Sequence, residues 1–278
     1  MRLRSLLFVP GDRPERMEKA LGLGADALIL DLEDSVAPGA KHHARREVAG
    51  FLAAHQGANL WVRINPIGGP EADRDLEAVL ASHPDGIVLP KAEGGASVDE
   101  LARRLSALGN VTSLILPIAT ETAAAMFQLG SYAGAKRLAG LTWGAEDLPA
   151  AIGAAAAREE DGRYTQPIEL ARSLCLYGAA AAAVAAIETV YPAYRDLDGL
   201  AAYAARGRRD GFSGMMAIHP AQIAVINAAF TPSESEIAQA RAVVAAFEAN
   251  PGAGVLSLEG KMIDRPHLVQ ALRILASA

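Results

Sequence analysis

Residues 114–152 read LILPIATETAAAMFQLGSYAGAKRLAGLTWGAEDLPAAI. Two apolar runs in this segment, 114–119 and 138–143, are short enough for buried strands, and each stops in polar residues. Between them, 122 to about 132 carries helical spacing. Strand, helix and strand make a βαβ unit, whose parallel strands bring their C-terminal ends side by side. Glu121 stands just past the first strand, and Glu146 and Asp147 just past the second. Glu121 and Asp147 are therefore expected on one edge of the sheet. Two carboxylates in one crevice repel unless a cation or a shared proton lies between them. One or two carboxylates, completed by water and substrate, is also how Mg²⁺ is usually held. The same residues fit ordinary helix-start chemistry, with Thr120 or Glu121 as an N-cap and Asp147 as a first-turn acid. On spacing alone both readings stand.

Outward from this unit the pattern repeats. Apolar runs at 5–9, 26–30, 60–64, 86–89, 187–191 and 212–218 add six strands, separated by segments of helical spacing. Eight strand–helix alternations in about 230 residues are the size of a (β/α)₈ TIM barrel, whereas a doubly wound open sheet uses fewer strands. In such a barrel chemistry gathers at the C-terminal ends of the strands. There the sequence places Glu33 and Asp34 after the second strand, Lys91 after the fourth, Glu121 and Asp147 after the fifth and sixth, and His219 after the eighth. Every strand must end in something polar, which accounts for part of this set. Arg63 is harder to dismiss, because an arginine between Val62 and Ile64 must be paired or must face the barrel mouth. Its fork there suits a substrate carboxylate.

Composition narrows the function classes. The 278 residues are 51% hydrophobic and 21% charged, an ordinary globular balance. A net charge of −6 with no basic run argues against a nucleic-acid or anionic-membrane surface. Cys175 is the only cysteine, so no internal disulfide forms and a cytoplasmic setting is expected. No run approaches the roughly 18 apolar residues of a membrane span. The N-terminal segment meets Pro10, Gly11 and charge too soon for a signal peptide.

The expected domains are a barrel at 1–230 and a C-terminal extension at 231–278. A helix is expected over 232–250, with Ser233 as its cap and Glu236 three residues on. A final helix begins at about His267. Asp264 lies between apolar Met262-Ile263 and Pro266, where by itself it reads as a turn or cap residue.

Eight segments in order then carry a resemblance along nearly the whole chain: RSLLFVPG at 4–11, ALILDLEDSV at 27–36, WVRIN at 61–65, VLPKAE at 88–93, IATETAAA at 118–125, WGAEDLPAAIG at 143–153, AIHPAQI at 217–223 and EGKMIDRPHL at 259–268. The sequence resembles the citrate lyase beta-subunit family, which includes citryl-CoA, malyl-CoA and citramalyl-CoA lyases. The resemblance implies Mg²⁺, a homotrimer and reversible carbon–carbon cleavage of an acyl-CoA thioester to an oxoacid. It implies that Glu121 and Asp147 hold the metal, that Glu121 and Arg63 contact substrate, and that Arg63 grips the oxoacid carboxylate. It also implies that Asp264 reaches a neighbouring subunit's site as the acid/base, the extension acting as a lid. Met215 and Met216 stand where such proteins often carry a lysine, and the basic residues near the first helix are reduced to Arg13, Arg16 and Lys19. The carrier could then be an acyl carrier protein. A synthase that hydrolyses the thioester, a pyruvate or phosphoenolpyruvate enzyme, and a non-catalytic oxoacid-binding subunit are the alternatives.

Overall fold

The computed structural model describes residues 2–278. The chain forms two compact units, Leu3–Asn227 and Ala228–Ala278, the latter with Arg2. In the larger unit eight parallel strands follow one another: β1 (Ser5–Pro10), β2 (Ala27–Asp31), β3 (Leu60–Arg63), β4 (Gly86–Leu89), β5 (Leu114–Pro117), β6 (Gly140–Thr142), β7 (Ala185–Glu188) and β8 (Gly214–Ala217). The sheet runs in the order β5-β4-β3-β2-β1-β8-β7-β6. Its two ends meet through bridges from Ile115 to Leu138 and from Ile118 to Thr142. The Ala119 N–H donates to the Thr142 carbonyl at 2.8 Å, and the Ala139 N–H to Ile115 at 2.9 Å. The fold is a (β/α)₈ TIM barrel.

The helices of this unit are α1 (Pro14–Leu21), α2 (Lys41–Ala54), α3 (Ala72–Val79), α4 (Gly95–Ala107), α5 (Asp147–Ile152), α6 (Gln166–Ala181) and α7 (Leu197–Asp210), and α8 (Gln222–Ala229) runs across its boundary. The barrel interior is an apolar cluster drawn strand by strand, with Leu6, Ile29, Trp61, Val88, Leu116 and Ile187 all buried. Burial on both faces is why these strands read as continuous apolar runs rather than as alternation.

Two expectations fail in ways that matter for the site. Residues 122–132 do not form an α-helix. Two 3₁₀ turns, Ala125–Phe127 and Leu129–Tyr132, carry the chain instead. Gly94 and Gly95 explain the tight passage: a Cβ on Gly95 would meet the Ser131 carbonyl oxygen at 2.3 Å. The alanine-rich sequence at 150–157 reads as helix, but the helix after β6 ends earlier. Gly153, with φ 73°, ends α5, and residues 154–157 lie outside any helix.

The smaller unit holds α9 (Glu234–Glu248), an antiparallel hairpin β9 (Val255–Leu258) and β10 (Lys261–Asp264), and α10 (Arg265–Ala276). Ser233 caps α9 in a capping box with Glu236, as its sequence spacing implies. Phe247, Val243, Ile263, Ala240 and Ala271 form its own small core. Among the described residues no helix is long and apolar enough to cross a membrane.

The Trp61 ring lies where Gly86 of β4 presents no side chain, and an added Cβ would fall 2.2 Å from that ring. Gly86→Ala is therefore expected to destabilise the barrel by about 1–3 kcal/mol through overpacking. Urea denaturation measures it, and an unchanged midpoint would show that the ring moves freely.

Candidate active site

The strand ends place the charged residues. In the β2–β3 register Asp31 is the direct partner of Arg63. Their side chains meet in a two-point bond, with Arg63 Nε donating to Asp31 Oδ1 at 2.7 Å and Nη2 to Oδ2 at 2.6 Å. Nη1 stands 3.2 Å from Glu33 Oε2, and the guanidinium lies over the Phe8 ring at 4.7 Å. Burial pulls the arginine pKa down, but Asp31 and Glu33 outweigh it and hold the charge. Burial likewise raises Asp31, and the Arg63 hydrogen bonds more than offset it, so Asp31 stays below the usual carboxylate range. The fork expected for a substrate carboxylate is thus largely engaged by Asp31, leaving Nη1 as the less committed nitrogen.

Glu121 is 96% buried, following directly on β5 and the bridge at Ile118. Its Oε2 accepts the Lys91 backbone N–H at 2.5 Å. Gly144 lies against it, and a Cβ there would meet Glu121 Cγ at 2.7 Å. Thr120 Oγ1 accepts the Gly144 N–H at 3.1 Å, tying the end of β5 to the end of β6. Burial, with the charges of Glu33 and Asp147 added, pushes the Glu121 carboxyl up to about 8 against the Lys91 hydrogen bond. Asp147 is the first residue of α5, and Lys91 Nζ stands 3.5 Å from its Oδ1. The same ammonium donates to Glu33 Oε1 at 2.8 Å. Burial lowers the Lys91 pKa, but the hydrogen bond and charge of Glu33 raise it further, and the lysine stays protonated.

A cavity of about 420 Å³ opens here, and Arg63, Glu121, Asp147, Asp34, Trp143 and Met216 are among its walls. The structure thus brings Arg63, Glu121 and Asp147 together. His219 instead stacks on Tyr194 at 4.8 Å, while its neighbour Ile218 lines the cavity. Asp264 belongs to the smaller unit, where it ends β10 and stands at the N-cap of α10. Its Oδ1 lies 2.5 Å from His267 Nδ1. By itself the sequence reads Asp264 as a turn or cap residue; it is the N-cap of α10, reached through β10, whose Met262 and Ile263 pair with Ser257 and Leu256. Asp31 was missed as the partner of Arg63. Its signal was there, since both residues close adjacent strands.

Among the described residues no group of three or more His, Cys, Asp or Glu side chains is arranged to hold a metal ion. What the cavity offers is a pair of oxygen donors, Glu121 and Asp147, from the segments that follow adjacent strands β5 and β6. The bare backbone at Gly144 makes room for Glu121, and the raised Glu121 carboxyl is one that a cation would stabilise in its charged form. This donor set fits a hard cation such as Mg²⁺, which keeps several ligands for water and substrate.

Residues 4–220 match the family model described as HpcH/HpaI aldolase/citrate lyase. The chain belongs to that family. A relative named (3S)-malyl-CoA thioesterase, from Cereibacter sphaeroides, is 38% identical over 283 residues, covering 99% of this chain and 94% of that protein. The crystal structure of CitE from Mycobacterium tuberculosis in complex with magnesium, acetoacetate and coenzyme A superposes with a TM-score of 0.83. It is 37% identical, with 99% of this chain and 97% of that chain covered. A citrate lyase beta subunit from the same organism, complexed with oxaloacetate and magnesium, gives a TM-score of 0.73 at 38% identity. Here 82% of this chain and 96% of that chain are covered.

Lysine keeps the charge of Arg63 but cannot make the two-point bond to buried Asp31. Arg63→Lys is expected to lower stability by about 1.5–3 kcal/mol, the range for charge-assisted hydrogen bonds. Chemical denaturation checks this. Wild-type stability would show that the Glu33 and Ser35 N–H donors to Asp31 suffice without Arg63.

Proposed function

We propose that this protein is a Mg²⁺-dependent carbon–carbon lyase. Its substrate is a 3-hydroxy-3-carboxyacyl thioester of the citryl-, malyl- or citramalyl-CoA type. Cleavage, which is reversible, gives an oxoacid (oxaloacetate, glyoxylate or pyruvate) and an acyl-CoA. The observation that carries this reading is the convergence of Glu121 and Asp147, from adjacent strand ends, on one cavity that Arg63 also lines. Relatives that bind magnesium, oxaloacetate, acetoacetate and coenzyme A support it.

Glu121 and Asp147 would hold Mg²⁺, which supplies positive charge to polarise substrate oxygen and stabilise charge developing there. Arg63 orients the oxoacid carboxylate through its less committed nitrogen. The bond that breaks joins the hydroxyl-bearing carbon to the α-carbon of the thioester. As it breaks, the hydroxyl gives up its proton and becomes the oxoacid carbonyl, and the α-carbon takes a proton. Asp264 of a neighbouring subunit in a homotrimer delivers that proton, and removes it in the condensing direction. On this reading residues 1–230 form the catalytic barrel and 231–278 the extension that closes a neighbour's site.

One observation favours a second reading. A relative over nearly the full length is named a thioesterase. Hydrolysis of a thioester would then follow or replace cleavage.

Incubation of the purified protein with citryl-, malyl- and citramalyl-CoA separates these readings. A lyase releases oxoacid and acyl-CoA in equal amounts and only with Mg²⁺. Free CoA without oxoacid would instead assign a thioesterase. Oxaloacetate binding without turnover of any thioester would assign a non-catalytic subunit.

Two sets of variants test the residues. Glu121→Gln and Asp147→Asn should each abolish Mg²⁺-dependent oxaloacetate binding while the circular dichroism spectrum stays unchanged. Calorimetric titration with wild-type affinity in both would remove the site. Asp264→Asn should keep that binding and lose about 10²–10⁴-fold in turnover, the usual contribution of a positioned acid–base. Mixing Asp264→Asn with Glu121→Gln subunits should restore activity if the site is shared, and undiminished turnover by Asp264→Asn alone would take this residue out of the mechanism.

A further inference from the structure

Lys91 touches both candidate metal ligands through different atoms. Its backbone N–H reaches Glu121 Oε2, and its ammonium reaches Glu33 Oε1 at 2.8 Å and stands 3.5 Å from Asp147 Oδ1. The backbone makes this double contact by entering the left-handed region, with φ 51°, which non-glycine residues rarely adopt. A lysine in a loop after a strand ordinarily extends its charge into water. This one is folded back among three acids, one of which, Glu33, is buried beside Arg63. An ammonium held this way is a fixed positive charge. It is not a nucleophile, since attack would need the neutral amine and its carboxylate partners oppose deprotonation.

We propose that Lys91 is a tethered counter-cation of the Glu121–Asp147 pair, competing with a divalent ion for Asp147 and so making ion binding depend on the arrival of an anionic substrate. The inference rests on the metal reading above. Without a divalent ion, Lys91 neutralises Asp147 and Glu33 and lets the carboxylates share one crevice. When an ion enters, its two positive charges face the ammonium at close range, which weakens the binary complex. The oxoacid brings negative charge and offsets that repulsion. Metal and oxoacid then bind cooperatively, each strengthening the other by the same factor. Lys91 thus acts through its neighbours and is a positioning residue rather than a catalytic one.

A purely structural role predicts the opposite sign. If Lys91 only held Asp147 in place, removing its charge would weaken metal binding. The test is calorimetric titration of Mg²⁺ into wild-type protein, Lys91→Met and Lys91→Arg, with and without oxaloacetate. Mn²⁺ electron paramagnetic resonance serves as an independent readout. Methionine keeps the backbone N–H to Glu121 and the length of the stem, and Lys91→Gln is a second neutral variant should the first fail to fold. The neutral variants should bind Mg²⁺ in the absence of oxaloacetate roughly tenfold or more tightly than wild type, given a unit charge removed from a partly buried site. Their gain in Mg²⁺ affinity on adding oxaloacetate should shrink correspondingly, and Lys91→Arg should behave as wild type. Unchanged or weaker Mg²⁺ affinity in the neutral variants would overturn the inference while leaving the metal site standing. A wild-type protein that binds no Mg²⁺ under either condition would overturn the metal reading itself, and this inference with it.

Discussion

Parallel strands deliver all their C-terminal ends to one mouth, so the charges collected there must be balanced side by side. In this barrel Asp31 and Glu33 come from the end of β2, Glu121 from the end of β5 and Asp147 from the first turn of α5. Against them stand Arg63 and Lys91. Each cation bridges two acids: Arg63 joins Asp31 and Glu33, both at the end of β2, and Lys91 joins Glu33 to Asp147, which follow different strands. Glu33 is shared by both, which is how a carboxylate with burial as its largest perturbation keeps company with its neighbours. The acids are close enough to act on one ligand because the cations between them prevent mutual repulsion from spreading the rim.

The wall on the other side of the cavity rests on a second buried charge pair. Glu188, the last residue of β7, accepts from the Trp143 indole N–H at 2.6 Å, from the Tyr203 hydroxyl at 2.9 Å and from Arg172 Nε at 2.8 Å. Arg172 continues to Asp210 on α7 and lies over the Phe212 ring. Trp143 therefore reaches the cavity from a seat fixed by α6, α7 and β7 together. It precedes the Gly144–Asp147 segment, so that segment inherits a rigid base. Such networks stabilise a unique arrangement only when their members are satisfied, and Glu188 uses both oxygens.

The strands were legible because burial on both faces leaves apolar runs with few interruptions, and GIVL at β4 marks its own limits. The pair Glu121 and Asp147 was legible for the same reason, since parallel topology alone puts adjacent strand ends together. Failures came where tertiary contact overrode local preference. ETAAAMF has helical composition, yet it turns in 3₁₀ fashion where Gly94 and Gly95 bring another loop against Ser131. The alanines at 154–157 favour a helix, but Gly153 in the left-handed region ends it first. The short helix α8 carries no helical signal in the sequence, because it is apolar on most sides and so has no amphipathic period. Lys91 was visible as a polar strand end, but its reach back to Asp147 depends on a positive φ that composition does not announce.

The engagement of Arg63 by Asp31 changes what this arginine can contribute. A free guanidinium at a barrel mouth would attract any anion strongly but would sample several rotamers. Held at two points by Asp31 and supported on the Phe8 ring, its plane is set before a ligand arrives. The Asp31 charge cancels much of its long-range pull, so as a carboxylate ligand it would select by direction rather than by attraction. On the proposed reading the local positive charge that meets an oxoacid would then come from the metal and from Lys91, which Glu33 separates from Arg63. The buried acids thus separate two tasks in one cavity. On that reading Arg63 would fix where a carboxylate lies, and the cations near Glu121 and Asp147 would determine when an anion is held there.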